Sequence, residues 1–206
     1  MIKKQHQTGK FLVIEGLDGS GKSTQAKLLG QELRKRGHEY YLTREHTREG
    51  PAGKLIERIV NRQEELNPTA LQLLFVVDRL DHLKREIWPQ MEKGRIVISD
   101  RYYWSSVAYG ARVADRDWFI QVNKYCPESD LTIYLDISPE EAVRRMIEKG
   151  RKRTIFENLA QMKNSQKIYY WLLKKYQHKS VKVNGERPPK VIMENIIREL
   201  VKNKLI

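Results

Sequence analysis

The 206-residue chain has one cysteine, Cys126. A single thiol excludes an intrachain disulfide and any multi-cysteine zinc centre. No apolar run approaches the roughly 20 residues of a membrane-spanning helix. The opening MIKKQHQTGK is basic and polar and lacks the apolar stretch of a signal segment. Internal repeats, low-complexity tracts and Pro/Gly/Ser linkers are also missing, which predicts one domain over 1–206. Acidic residues are in the minority, 26 against 39 Lys and Arg, for a formal net charge of +13. Such an excess attracts polyanions. The basic residues are spread along the chain, however, with no clustered aromatic-plus-basic motif, so nucleic acid is not an expected partner. These absences together predict a cytoplasmic protein with no membrane contact. Hydrophobic residues make up 40% of the chain, enough for a buried core.

What the chain does contain is organised around Phe11–Gln25, FLVIEGLDGSGKSTQ. Gly16, Gly21, Lys22 and Ser23 fill the pattern G-x-x-x-x-G-K-S/T. The glycines let the backbone turn tightly and aim consecutive N–H groups at phosphate oxygens. Lys22 reaches the β- and γ-phosphates, and Ser23 offers a hydroxyl to Mg²⁺. The helix that follows points its positive dipole end at the same anion. The ATP-binding candidates are thus Gly16, Asp18, Gly19, Ser20, Gly21, Lys22, Ser23 and Thr24.

Apolar runs at 11–15, 39–43, 95–99, 131–136 and 181–183 read as strands. Helical patterns fall at 22–36, 52–62, 68–93, 105–115, 117–125, 139–149, 156–177 and 189–203. Strand and helix in alternation predict an α/β fold with a parallel sheet and right-handed crossovers. Such sheets bind ligands at the carboxyl ends of their strands, here near Gly16, Thr43, Asp100 and Asp136. The helix opening at Pro68 is apolar nearly all round from Ala70 to Val77. That pattern calls for burial on several sides, in the core or at a subunit interface.

Two further stretches carry chemistry. In VISDRYYWSSVAYG, Asp100 sits at a strand tip beside the phosphate loop, placed to hold Mg²⁺ or its waters. Arg101 next to it can clamp a second phosphate with its planar fork. The plainer reading is a structural Asp–Arg pair capping a helix. In LLFVVDRLDH, Phe75 and Arg79 share a helix face. They suit stacking on a base and bonding its edge, against the plainer reading of a core Phe and a solvated Arg.

GLDGSGKSTQ, LLFVVDR, DRYYWSS-x-AY and the basic run before TIFEN occur in the order and spacing of one family. Over about residues 10–203 the chain resembles the thymidylate kinases, a branch of the P-loop nucleoside monophosphate kinases. The resemblance implies a three-layer fold with a five-stranded parallel sheet, a short mobile lid at about 144–156, and a homodimer. It implies transfer of the γ-phosphoryl of Mg-ATP to dTMP, giving dTDP and ADP, in the supply of dTTP. It also implies that Asp18 receives the acceptor 3′-hydroxyl and that Phe75 stacks on thymine. Arg79 would bond the base edge, and Arg101 would hold the acceptor phosphate. Ser105 and Ser106 would line the base pocket, and Tyr109 would crowd the sugar 2′ position.

Two departures bear on the acceptor. Where the family often reads R-E-P-G-G, this chain reads Arg44-Glu45-His46-Thr47-Arg48-Glu49-Gly50, and Arg48 is the acceptor ligand carried over there. Where the family often reads A-Y-Q-G, Tyr109 is followed directly by Gly110. These keep open a kinase for dUMP, dCMP or a modified deoxynucleotide. A non-catalytic nucleotide-binding module is the alternative of another class. The phosphate loop has no basic residue at Leu17, Asp18, Gly19 or Ser20. Lys22 and Mg²⁺ cover part of the charge on the transferring group, and a closing lid could bring Arg151 or Arg153 to it, against the plainer reading of a solvated helix end.

Overall fold

The computed structural model describes residues 8–150 and 158–206. The proposed lid arginines Arg151 and Arg153 lie outside the described residues. The strands are β1 Lys10–Gly16, β2 Tyr40–Arg44, β3 Ile96–Asp100, β4 Leu131–Asp136 and β5 Ser180–Asn184. They pair all-parallel in the order β2-β3-β1-β4-β5. β1 is central because its apolar residues are needed on both faces. Phe11 and Val13 join the core on one side, while Leu12 and Ile14 join the core on the other. The register places Arg44 opposite Asp100 and Gly16 opposite Leu135, so the strand ends form one rim.

Helices α1 Lys22–Lys35 and α9 Pro189–Lys202 cover one face. Ala26, Leu29 and Leu33 meet Ile192, Ile196 and Leu200 there. The other face carries α5 Tyr103–Gly110, α6 Arg116–Val122 and α8 Leu159–Lys175. α2 Pro51–Val60 and α3 Pro68–His82 enclose a smaller cluster of Ile56, Ile59 and Leu71. α7 Pro139–Glu148 follows β4 and begins as its sequence signals require: the Ser138 side chain caps Glu141 N, with Pro139 in the first turn. Asn67 caps α3 in the same way.

Two helix expectations need correction. The single helix expected over 68–93 is α3, a wide π turn at Leu83–Ile87, and α4 Trp88–Glu92. Trp88 N donates to Leu83 O, five residues back. Pro89 lies in the next turn, where its ring would press on the carbonyl four residues earlier; the wide turn relieves that contact. The helix expected over 105–115 stops at Gly110. A Cβ there would sit 2.6 Å from the Phe119 ring, and Asp115 caps the start of α6 instead. On α3, Leu73, Val77 and Leu80 are exposed, so the core of one chain does not cover that side of the helix.

Candidate active site

The loop between β1 and α1 is built to receive an anion. Gly21, the residue before α1, has φ +93°, in the left-handed region that glycine adopts without strain. α1 has no side-chain cap and no acid in its first turn, unlike α7. Its first N–H groups are thus offered to a ligand. At Gly19 a Cβ would lie 2.5 Å from Ala142 O, so the loop packs closely on α7. Lys22 folds back over the loop, with Nζ donating to Gly16 O at 3.1 Å and Leu17 O at 2.8 Å. Burial, with the nearby Arg101 charge, lowers its pKa to about 8 despite the opposing carboxylates of Asp18, Asp100 and Glu15.

The Ser23 hydroxyl donates to Asp100 Oδ2. A hydroxyl and a carboxylate in contact beside Lys22 provide hard oxygen donors of the kind Mg²⁺ shares with phosphate oxygens, so the residues present fit that ion. A groove runs along this loop, lined by Gly19, Gly21, Lys22, Ser23, Thr24 and Asp100 on one side. Arg145 and Met146 of α7, and Lys149 just after it, line the other. Arg145 is itself tied to Glu141 and to Gly185 O.

A second cavity adjoins the groove. Phe75, Arg79, Tyr102, Ser105, Ser106 and Tyr109 line it, together with Glu45, His46, Val60 and Gln72. Asp18 and Arg101 line both spaces. The Arg101 guanidinium donates to Asp18 Oδ1 at 2.7 Å and to Ser105 Oγ at 2.9 Å, and it lies over the Tyr109 ring. Tyr109 OH donates to the other Asp18 oxygen at 3.4 Å. Arg101 holds φ +81°, an unusual backbone state for a residue with a side chain. Its N–H donates to Ile14 O and its carbonyl accepts from Ser99 Oγ, so both neighbouring strands hold it there. Backbone strain of this kind concentrates at ligand sites.

The sequence-predicted residues therefore converge, with exceptions. Arg48 is exposed and lines neither space. Gly16 and Ser20 line neither space, Ser20 being buried beneath the loop with its Oγ near Gly16. Arg79 is wholly buried and already engaged: Nε donates to Glu45 Oε2 at 2.7 Å, Nη1 to Asn123 Oδ1 at 2.6 Å and Nη2 to Ser106 Oγ at 3.1 Å.

Sequence reasoning missed Glu45, Asn123, His46 and Gln72. It also missed Glu15, whose buried carboxylate accepts from Tyr102 N, Ser105 N, Ser105 Oγ and Tyr169 OH. Burial raises the Glu15 pKa, against the charge of Arg101. A glutamate inside the apolar run FLVIEG was the available signal, because an acid on a central strand needs partners. Ser105 thus joins Glu15 to Arg101, and the start of α5 is fixed from beneath.

A Gly-Lys-Ser loop at a helix N-terminus, opening into a second cavity through a shared arginine and aspartate, defines a P-loop phosphotransferase with two substrate spaces. The thymidylate kinase family model matches residues 14–196. A probable thymidylate kinase of Pyrococcus horikoshii is 38% identical over 96% of this chain and 98% of its own length. Those of Pyrococcus abyssi and Thermococcus gammatolerans are 36% and 37% identical, over 96% and 94% of this chain and 98% and 94% of their own lengths. The chain belongs to the thymidylate kinase family and is a nucleoside monophosphate kinase.

Proposed function

We infer that this chain transfers the γ-phosphoryl group of ATP to dTMP, yielding dTDP and ADP. The observation that carries this reading is the shared wall: Arg101 and Asp18 face both the loop groove and the second cavity. An in-line transfer needs a donor and an acceptor on two sides of one point, with positive charge between them.

In this reading the loop N–H groups and Lys22 hold the ATP phosphates. Ser23 and Asp100 would hold Mg²⁺, which would supply positive charge against the charge that develops on the moving group. Arg101 grips the acceptor phosphate. Asp18 takes the 3′-hydroxyl, Phe75 stacks on thymine, and Arg79 bonds its edge beside Ser105 and Ser106. Tyr109, braced by Asp18 and Arg101, crowds the 2′ position. Arg151 and Arg153 close over the donor and complete the charge on the transferring phosphoryl. Closure also excludes water from the site.

The enzyme works as a cytoplasmic homodimer in this reading. No described helix is long and apolar enough to cross a membrane. No observation favours another acceptor or a non-catalytic module. A coupled assay of ADP release with dTMP, dUMP, dCMP and TMP's ribose analogue tests the reading. Fastest turnover at low dTMP supports it; preference for another monophosphate, or no ADP release, would overturn it.

A further inference from the structure

Behind the acceptor cavity lies a buried chain of charges that the phosphoryl transfer itself does not use. Glu45, which holds Arg79, follows the carboxyl end of β2, and its N–H donates to Asp100 O. Its Oε1 has no hydrogen-bond partner. That oxygen faces Nδ1 of His82 at 3.6 Å, and Nδ1 has no other partner either. His82 is fully buried. Its Nε2 lies 2.6 Å from Thr43 Oγ1, and the Thr43 hydroxyl donates to Glu86 Oε2 at 3.2 Å.

The proton count follows from these contacts. A threonine hydroxyl has one proton. With that proton given to Glu86, the Thr43 oxygen accepts from His82, so Nε2 carries hydrogen. Nδ1 points at a carboxylate oxygen; a bare lone pair there would face another lone pair, so Nδ1 carries hydrogen as well. The ring is an imidazolium between two carboxylates.

We propose that protonated His82 is a positioning residue for the acceptor: it orients the Glu45 side chain, and Glu45 in turn fixes the Arg79 guanidinium at the wall of the base cavity. The proposal rests on the reading of that cavity as the acceptor site. The groups facing this cluster fit such a role. β2 contributes Tyr41 and Thr43, and the following loop contributes Glu45. α3 contributes Asp78, already committed to Thr47, as well as Arg79. The π turn contributes Glu86, and Tyr102 and Cys126 lie near Arg79. Loss of the His82 charge would leave Glu45 with Arg79 as its charged partner and Glu86 with the hydroxyls of Tyr41 and Thr43. Burial opposes the imidazolium, but the Glu45 and Glu86 carboxylates outweigh it and raise its pKa to about 9. The charge is therefore present at neutral pH and is lost as pH rises through about 9.

The test is the pH dependence of kcat and of the acceptor KM at saturating ATP, in the wild type and in His82→Gln, Glu86→Gln and Arg79→Gln. The wild type should keep a flat KM for dTMP to about pH 9 and then rise, with kcat at saturating dTMP unchanged. Glu86→Gln alters a half-exposed side chain and removes one of the two carboxylates that support the imidazolium. Its KM limb should move to lower pH. His82→Gln should raise KM at pH 7.5 by about tenfold, the order of one close charge pair lost, with kcat kept. Titration of the base N–H is common to all four proteins and subtracts out. A His82→Gln protein with wild-type KM overturns the proposal, as does an unmoved limb in Glu86→Gln; the second result decides the matter if His82→Gln does not fold. Wild-type KM in Arg79→Gln would overturn the acceptor-cavity reading beneath it and the proposal with it, whereas a raised KM there with wild-type KM in His82→Gln overturns the proposal alone.

Discussion

At the scale of single residues, Lys22 and Tyr109 separate binding from discrimination. Lys22 is buried against loop carbonyls, and its pKa of about 8 means that the empty site holds the charge loosely. Bound phosphates favour the ammonium form and return the pKa toward its ordinary value. ATP binding between about pH 8 and 10 should therefore take up a proton, and ATP affinity should fall as pH rises through 8. Calorimetry in buffers of different ionisation enthalpy measures the uptake; a heat independent of buffer at pH 8.5 would refute it. Lys22→Ala should lower turnover by on the order of 10²-fold or more with the fold retained. Tyr109 is a positioned wall, its hydroxyl on Asp18 and its ring under Arg101. Tyr109→Ala should relax the preference for the deoxyribose acceptor more than it slows dTMP. Equal losses with both sugars, measured as kcat/KM, would remove the gate.

At the scale of elements, the strands were readable because each is an apolar run bounded by polar residues, and all five fall within a residue or two of expectation. The helices capped by local signals, at Asn67 and Ser138, also begin close to where their sequences indicate. The close packing of Phe119 on Gly110, where the helix ends, was not readable, because the ring lies nine residues further along the chain. Gly110→Ala should therefore destabilise the protein by about 1–3 kcal/mol, as overpacking does, and lower the thermal midpoint. An unchanged midpoint would mean that Phe119 moves aside without strain. The site shows the same division. Lys22, Ser23, Asp100 and Arg101 were legible from spacing within short motifs, whereas Glu45, Asn123 and Glu15 act across 34 to 154 positions of sequence. The segment after α7 belongs to this scale too. Arg151→Ala and Arg153→Ala should each lower kcat by roughly 10²- to 10³-fold with little change in the dTMP KM, the mark of a contact made in the transition state. Near-wild-type kcat in both single variants and the double variant would leave the lid without a role.

At the scale of the whole molecule, the two sides of α3 would link the proposed homodimer to acceptor binding. Phe75, Arg79 and His82 lie at steps of four and three along one side, and that side meets the acceptor cavity and the buried charges behind it. Leu73, Val77 and Leu80 repeat the same steps two positions away and stand exposed. Three large apolar side chains in a row on one helix face form a surface suited to a second copy of the chain, since the isologous contact of a two-fold dimer would bury both stripes at once. Because one helix bears both faces, separating the protomers should loosen the acceptor side more than the loop that binds ATP. Substitution of Val77 and Leu73 by Asp is therefore expected to give a monomer by sedimentation at micromolar concentration. The KM for dTMP should rise severalfold, while ATP binding to the empty enzyme stays within about twofold. A wild-type protein that sediments as a monomer would refute the assembly, and a monomeric variant with unchanged dTMP KM would break the link between the two faces of α3.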